Sequence, residues 1–156
     1  MAEQGTPPFP DADRDPVLAS MLCFAIYSAG HAFTQFYRAS LEPMGLTYPQ
    51  SLVMTLLWER DNRSVREIGA AMHLKSSTLT PLIKRLAEAG LVNRQRDSGD
   101  ERVVRITLTD KGRALQARAA EIAPHVREAL QMSEDEIAQA IATLDRIRAR
   151  LVSATP

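Results

Sequence analysis

The sequence predicts a mainly α-helical protein with one small β-hairpin, arranged as a central lobe between long terminal helices. Apolar residues recur at helical spacing over most of the chain, and between residues 91 and 108 the pattern changes to the alternation of a strand. Three capping boxes and a helix-ending glycine mark individual helix boundaries. With 156 residues, 45% of them hydrophobic, the chain is long enough for one domain with its own core.

The first predicted helix follows a short tail. Residues 1–15 contain three prolines and no apolar periodicity, so we expect a flexible tail there. From Pro16 to about Ser40 apolar residues recur at helical spacing, and Pro43 and Gly45 end the pattern. The sequence therefore predicts one long helix before residue 45.

The next boundaries are set by residues that cap helices. Thr47–Gln50, Ser64–Glu67 and Ser133–Glu136 have the spacing of a capping box, and Thr109 is placed to cap a further helix. In a capping box two side chains bind the free backbone N–H groups of the first helical turn. Each of these segments therefore predicts the start of a helix.

Two of these helices form a helix-turn-helix. The short helix opened at Ser64 is followed, after a turn at His73 and Leu74, by a helix over Ser76–Ala89. Gly90 then supplies the left-handed residue that commonly ends a helix. Two helices joined by so short a turn are typical of the helix-turn-helix motif.

A β-hairpin follows this motif directly. Residues 91–96 and 102–108 alternate between apolar and polar side chains, and the five residues between them include a glycine. A hairpin in this position is a wing. The sequence therefore predicts a winged helix-turn-helix.

The domain organisation follows from these elements. We expect a flexible tail at residues 1–15 and a single domain at residues 16–156. Within that domain the winged helix-turn-helix occupies residues 47–108, between dimerisation helices at residues 16–45 and 110–153. No internal repeat or low-complexity segment interrupts this order.

Charge is distributed unevenly along the chain. The 19 Lys+Arg and 19 Asp+Glu cancel, yet residues 63–113 hold 11 basic and six acidic residues, which gives that segment +5 and the remainder −5. A basic segment between acidic flanks is expected when one lobe contacts DNA phosphate and the other does something else, such as dimerise. Chance clustering on a solvated surface is the alternative.

The helix over residues 76–89 has the composition of a recognition helix for the DNA major groove. Such a helix carries short polar side chains in its first turn and cations further along. Arginines around a glycine-containing wing tip suit the minor groove. Alternatively, Ser76 or Ser77 merely caps the helix. The candidate DNA-contacting residues are Ser76, Ser77, Thr78, Thr80, Pro81, Lys84 and Arg85 in the helix, and Arg94, Arg96, Asp100 and Arg102 in the wing, where Arg105 lies as well.

Several other classes of protein are disfavoured. No apolar run approaches the roughly 18 residues that span a bilayer, and the N-terminus lacks the pattern of a secretion signal, so we expect a cytoplasmic protein. One cysteine cannot form an internal disulfide. His31, His73 and His125 are far apart and have no further ligands at metal-binding spacing. Without a catalytic triad or a phosphate-binding glycine loop, we expect no metal, no cofactor and no enzyme.

Over residues 16–151 the chain resembles the MarR family of bacterial transcriptional regulators. Its most specific stretches are Asp100–Val104 in the wing and Leu108–Gly112 after it. The resemblance implies a homodimer with intertwined terminal helices, recognition helices that bind a near-palindromic operator in double-stranded DNA, and a wing arginine, Arg102, in the minor groove. Lys75 departs from the family, whose members tend to carry an acidic residue just before the recognition helix.

The single cysteine, Cys23, lies in an apolar helix, where a cysteine is most often a small buried hydrophobic side chain. Tyr27 lies one turn away on the same face. Tyr37 lies 14 residues further on, roughly 21 Å along a continuous helix, so it cannot reach the sulfur within one chain. An antiparallel meeting of two such helices across a dimer two-fold could bring it beside the partner's cysteine.

The segments Met21–Tyr27, Phe33–Arg38 and Leu46–Gln50 are similar to those of the organic hydroperoxide resistance regulators, a branch of the MarR family. This resemblance implies that Tyr37 and Tyr48 of the partner subunit hydrogen-bond the cysteine sulfur. Some members carry a second cysteine in the C-terminal helices, which this chain lacks. In this one-cysteine type the oxidised sulfur forms a mixed disulfide with a small cellular thiol or is over-oxidised. The candidate redox-sensing residues are Cys23, Tyr37, Tyr48 and Tyr27.

The sequence therefore predicts a dimeric repressor that leaves its operator when organic hydroperoxide oxidises Cys23. One alternative is a MarR-type repressor relieved by a small aromatic ligand in the cleft between the two lobes. Others are a one-cysteine peroxidase and an architectural protein that binds DNA of any sequence. The peroxidase is disfavoured because no Arg or Thr lies near Cys23 to stabilise a peroxide leaving group.

Overall fold

The computed structural model describes residues 15–154, so the predicted tail at residues 1–15 lies almost wholly outside the described residues. Among residues 15–154, no helix combines the length and the apolar character needed to cross a membrane. In chain order the elements are α1 (Pro16–Ala19), α2 (Leu22–Leu41), a 3-10 turn (Glu42–Met44), α3 (Tyr48–Glu59), β1 (Arg63–Ser64), α4 (Val65–Met72), α5 (Ser76–Glu88), β2 (Val92–Arg96), β3 (Val104–Leu108), α6 (Asp110–Ala114), α7 (Gln116–Ala120), α8 (Ile122–Leu130) and α9 (Glu134–Ala154).

The predicted hairpin is confirmed and belongs to a three-stranded antiparallel sheet. The strand order is β1-β3-β2, and β2 pairs with β3 from Val92 opposite Leu108 to Arg96 opposite Val104. The additional strand, β1, places Arg63 opposite Ile106. A two-residue strand is too short to show any periodicity, so the sequence did not predict it.

The predicted helix boundaries agree with the structure where side chains cap them. Gly90, at φ 71°, ends α5 in the left-handed conformation, where a side chain would be strained. The capping-box side chains accept hydrogen bonds from the backbone N–H groups as expected: Gln50 from Thr47 at 2.8 Å, Glu67 from Ser64 at 2.6 Å, and Glu136 from Ser133 at 2.8 Å.

Two predicted helices are interrupted. The prediction of one helix from Pro16 to Ser40 is wrong at Ser20 and Met21, since the Ser20 hydroxyl donates to the Val17 carbonyl and Met21 is extended. The helix that Thr109 caps is divided into α6, α7 and α8 at Leu115 and Glu121. These breaks leave α2 and α9, of 20 and 21 residues, as the longest helices among residues 15–154.

The hydrophobic core lies in the winged helix-turn-helix lobe and is closed by α8. By contrast, α9 buries none of its residues and α2 buries only Leu41. Apolar side chains on these two long helices are therefore exposed within one chain, including Leu22 at 61% and Ile141 at 56%. The most deeply buried side chains are Leu41, Val53, Met54, Leu57, Ile68, Leu79, Ile83, Leu86 and Ile106.

Candidate functional site

The predicted recognition helix, α5, is held by an apolar face and presents a polar one. Leu79, Ile83 and Leu86 are buried in the core. The N-cap is Lys75, whose side chain makes no capping hydrogen bond, so the alternative that Ser76 or Ser77 caps this helix is wrong. All of the predicted contact residues of α5 are exposed: Ser76, Ser77, Thr78, Thr80, Pro81, Lys84 and Arg85.

Two of these residues differ from a simple donor surface. The Thr80 hydroxyl donates to the Ser76 carbonyl at 2.7 Å, so its proton is already engaged and its oxygen is left as an acceptor. Pro81 lies inside the helix without an N–H, which removes the helical hydrogen bond to the Ser77 carbonyl. Acceptors are therefore mixed with donors on the face that the sequence assigns to DNA.

Three of the wing arginines lie on β2 or in the turn before β3. Arg94 and Arg96 are exposed on β2. The side chain of Arg102 is 91% exposed, and the Asp100 carboxylate accepts from both its backbone N–H and its Nε at 3.1 Å. Asp100 therefore orients Arg102. DNA contact by these side chains stays a prediction.

Arg105 is placed differently from the other wing arginines. Its Nε lies 2.7 Å from the Asp97 carboxylate, and an Nη lies 3.6 Å from the carboxylate of Glu67 on α4. Its guanidinium therefore contacts two carboxylates, one in the wing and one on α4.

Residues at the end of α3 tie the wing to the rest of the chain. The Asp61 carboxylate accepts from the backbone N–H of Leu108 at 2.9 Å and pairs with Arg113. Trp58 Nε1 donates to the Gly112 carbonyl at 2.9 Å. Sequence reasoning missed these contacts, because residues about 50 positions apart carry no local signal of their pairing.

At the other end of α3, the structure brings two of the redox candidates together. The rings of Tyr37 and Tyr48 lie 4.8 Å apart between centroids, tilted by 46°. Burial against the core, together with the neighbouring Tyr48 phenol, raises the pKa of Tyr37. Both rings line a cleft of about 460 Å³ between α2 and α3 on one side and α7 and α8 on the other, where Trp58 and Gln116 also lie.

Cys23 lies far from this tyrosine pair within one chain. It is an exposed free thiol in the first turn of α2, with Tyr37 on the same continuous helix 14 residues later. Tyr27 is 70% exposed and stacks on the ring of His31 at 6.4 Å. The prediction that Tyr37 does not reach the sulfur of its own chain therefore agrees with the geometry. Across residues 15–154 no three His, Cys, Asp or Glu side chains are grouped to hold a metal ion.

Comparison with known proteins identifies the kind of protein that carries this arrangement. Residues 35–118 match the family model Transcriptional regulator SarA/Rot. The chain is 36% identical over 122 residues to the organic hydroperoxide resistance transcriptional regulator of Bacillus subtilis, which covers 78% of this chain and 83% of that protein. It is 54% identical over 106 residues to the regulator TtmR of Methylorubrum extorquens; this match covers 68% of the chain and 54% of TtmR, so the chain spans about half the length of that relative.

Among solved structures, the chain is similar to AbfR of Staphylococcus epidermidis, with 37% identity, a TM-score of 0.72, and coverage of 88% of this chain and 95% of AbfR. Reduced AbfR bound to DNA gives a TM-score of 0.73 at 36% identity, covering 86% and 94%. AbfR with its disulfide formed gives 0.60 at 36% identity, covering 84% and 92%.

These relatives are transcriptional regulators rather than enzymes, and the winged helix-turn-helix with its exposed basic side chains is the DNA-binding part of such a protein. The chain therefore belongs to the SarA/Rot-type, MarR-like winged-helix family of DNA-binding transcriptional regulators, in the branch of the organic hydroperoxide resistance regulators.

Proposed function

We propose that this protein is a homodimeric repressor that leaves its operator when organic hydroperoxide oxidises Cys23. The observation that carries the proposal is the close pair of Tyr37, in the second half of α2, and Tyr48, at the start of α3. Their ring centroids lie 4.8 Å apart, and Cys23 lies at the opposite end of α2. Two such helices in antiparallel contact bring the tyrosine pair of one subunit to the cysteine of the other. The phenol groups then hydrogen-bond the sulfur.

The exposed apolar side chains of the long helices support the homodimer. Leu22 and Phe36 on α2 and Ile141 and Leu144 on α9 are between 42% and 61% exposed in the single chain. An uncovered apolar face of this size commonly marks a protein interface. An apolar groove of about 330 Å³ continues it, lined by Ala29, Ala32, Phe33, Phe36, Val126, Ala129 and Leu130.

The position of Cys23 in the first turn of α2 supports oxidation at this sulfur. Cys23 is exposed there, so a hydroperoxide can reach the sulfur, whose reacting form is the thiolate anion. The thiolate attacks the terminal peroxide oxygen, an S–O bond forms, and the O–O bond breaks. The sulfur is oxidised to sulfenic acid, and the leaving alkoxide takes up the proton that the thiol lost, so the hydroperoxide is reduced to an alcohol.

The sulfenic acid then follows one of two routes. In the first, a small cellular thiol condenses with the sulfenic acid to form a mixed disulfide and water. A further thiol then regenerates the free cysteine by thiol–disulfide exchange. A second hydroperoxide instead oxidises the sulfenic acid irreversibly to sulfinic acid. The chain has no second cysteine for an internal or intersubunit route to a resolving disulfide.

The connection from the tyrosines to the DNA-binding surface runs through α3. Tyr48 is the first residue of α3, and Asp61, just past its end, holds Leu108 of the wing. A shift of Tyr48 on oxidation is therefore transmitted to the wing and the recognition helix, and a change of a few kcal/mol between two dimer states is enough to empty the operator. Reduced AbfR bound to DNA and AbfR with its disulfide formed differ in their similarity to this chain, with TM-scores of 0.73 and 0.60, whereas over-oxidised AbfR bound to DNA gives 0.74.

The test is DNA binding by wild type and Cys23→Ser, each reduced, treated with cumene hydroperoxide, and treated with cumene hydroperoxide plus a small thiol. The probe is a duplex selected by the reduced wild type from a random pool. We expect hydroperoxide to release the wild type and a later excess of thiol to restore binding, whereas Cys23→Ser stays bound throughout. Release of Cys23→Ser by hydroperoxide would contradict the proposal.

A second candidate is a repressor relieved by a small aromatic ligand. The cleft of about 460 Å³ beside Tyr37, Tyr48 and Trp58 favours it, since its aromatic walls and few polar groups suit such a molecule. Titration of the DNA complex with salicylate under reducing conditions distinguishes the two. Release of both proteins from DNA by salicylate, with no effect of hydroperoxide on the wild type, would favour the ligand-relieved repressor.

A further inference from the structure

We propose that Arg105 is a positioning residue that fixes the wing against the helix-turn-helix, rather than one of the wing arginines that contact DNA. The inference concerns DNA binding alone and does not depend on the chemistry of Cys23. It rests on a cluster of charged groups at the junction of β3, the wing tip and the start of α4.

The first half of the cluster lies within the wing. Arg105 on β3 reaches diagonally to Asp97, the residue just after β2, where Nε donates to the carboxylate at 2.7 Å. The same carboxylate accepts from the backbone N–H of Gly99 at 2.9 Å. Asp97 therefore joins the tip of the wing to β3, through its contact with Arg105.

The second half reaches out of the wing to the helix-turn-helix. Arg105 donates from Nη1 to the backbone carbonyl of Asn62 at 3.3 Å, and the same nitrogen lies 3.6 Å from Glu67. Glu67 is itself fixed, because it accepts from Arg60 at 2.8 Å and from the Ser64 N–H at 2.6 Å. A single guanidinium thus bridges the wing tip, the loop before α4 and the first turn of α4.

Exposure and electrostatics agree with this role. The Arg105 side chain is 36% exposed, against 91% for Arg102. Hydrogen bonds to the partners lower the pKa of Asp97, with that from Arg105 the largest cause, and raise the pKa of Arg105. Two of the three guanidinium nitrogens, Nε and Nη1, are therefore already directed at carboxylates and a carbonyl.

The two roles predict opposite effects for Asp97→Asn. If Arg105 contacted phosphate, removal of a negative charge beside it would tighten DNA binding. If Arg105 positions the wing, the same substitution loosens the anchor and weakens binding, although asparagine still accepts from Gly99. We expect a loss of about tenfold in affinity for the selected duplex, the size of a typical coupling between paired groups.

The experiment measures affinity for the selected duplex and for an unrelated duplex of equal length over a series of salt concentrations, under reducing conditions. A side chain that contacts phosphate contributes about 0.9 to the slope of log affinity against log salt. We expect Arg105→Gln to weaken binding of the selected duplex about tenfold while changing that slope by less than half of this amount. Arg96→Gln, an exposed neighbour on β2, is the matched control for the loss of a wing charge.

The double variant completes the test. Because Arg105 and Asp97 act through one contact, Arg105→Gln/Asp97→Asn should bind no more weakly than either single variant. Tighter DNA binding by Asp97→Asn would overturn the proposal. It would also be overturned if Arg105→Gln lowered the slope of log affinity against log salt as much as Arg96→Gln does and weakened binding to both duplexes equally. Thermal unfolding followed by circular dichroism checks that each variant folds. If Arg105→Gln does not fold, the direction of the change in affinity for Asp97→Asn still decides between the two roles.

Discussion

The indole Nε1 of Trp58 donates a hydrogen bond of 2.9 Å to the backbone carbonyl of Gly112, joining α3 to α6 across 54 positions of sequence. Trp58 is the single tryptophan of the chain and also lines the cleft beside the two tyrosines. One side chain therefore contacts both the cleft and the element that follows the wing.

Trp58→Phe should lower the free energy of unfolding by about 1–3 kcal/mol, since it leaves a carbonyl without its donor. Urea unfolding measures the change. Tyr27→Phe is the matched control: its ring is 70% exposed, so its loss of a hydroxyl should change stability by less than about 0.5 kcal/mol. Equal stability of Trp58→Phe and wild type would show that the hydrogen bond contributes nothing.

Gly112→Ala should be more damaging than Trp58→Phe. A Cβ at Gly112 would lie 2.1 Å from the carbonyl oxygen of Leu91, so the backbone of α6 or of the segment before β2 must move. We expect a loss of about 3 kcal/mol in unfolding free energy. Gly30→Ala, in the middle of α2 with no described atom within 4 Å of its Cβ, should be neutral or stabilising by about 0.5–1 kcal/mol. Similar losses for both variants would contradict the packing argument.

Tyr37→Phe and Tyr48→Phe should slow the response to hydroperoxide. The hydroxyls are the groups proposed to hydrogen-bond the Cys23 sulfur, and a hydrogen bond to a charged group contributes about 1.5–3 kcal/mol, or roughly tenfold to hundredfold in rate. The measurement is the rate of release from DNA after cumene hydroperoxide is added. Tyr27, the remaining candidate, stacks on the ring of His31 and not on the Tyr37 and Tyr48 pair, so Tyr27→Phe should respond at the wild-type rate. If all three variants respond alike, the tyrosine pair does not assist oxidation.

Stability should fall in acid through Glu67. Hydrogen bonds from Arg60 and then from the backbone and side chain of Ser64 lower the pKa of Glu67 to about 2 from the ordinary 4.5. The folded protein thus keeps this carboxylate charged to lower pH than the unfolded chain does. The resulting stabilisation is complete above about pH 4.5 and is lost as the pH falls towards 2.

Urea unfolding at a series of pH values from 6 to about 2 measures this loss. Glu67→Gln retains an acceptor for the capping box but not the titrating group. Its deficit relative to wild type should therefore be largest near neutral pH and shrink in acid. A deficit that is constant with pH would show that the carboxylate charge at Glu67 does not stabilise the fold.

The parts of the fold that the sequence predicts are those governed by neighbouring residues. Ser64 and Glu67, three positions apart, identify the start of α4, and Gly90 identifies the end of α5, because each motif satisfies backbone groups within one turn. The break at Ser20 is also local, but it interrupts an apolar periodicity that continues across it. Periodicity alone therefore predicted a helix that was too long.

The role of Arg105 shows why the candidate site was harder to predict. In the sequence it resembles Arg102, three residues earlier, and both belong to the basic segment. What separates them is a partner brought from α4, Glu67, and a short strand, β1, that no pattern marks. Distance in sequence hides such pairings, so charge counts alone assign both arginines to DNA.

The absence of buried residues on α9 within one chain bears on how repression depends on the concentration of the protein. If a second copy covers α9, which buries no residue within one chain, then the folded state is favoured by mass action, and its stability rises with the amount of protein present. Dilution alone would then dissociate the dimer, and the two recognition helices would no longer be held at the spacing of the operator half-sites. Abundance of the chain would act on repression as a second input, independent of any oxidant.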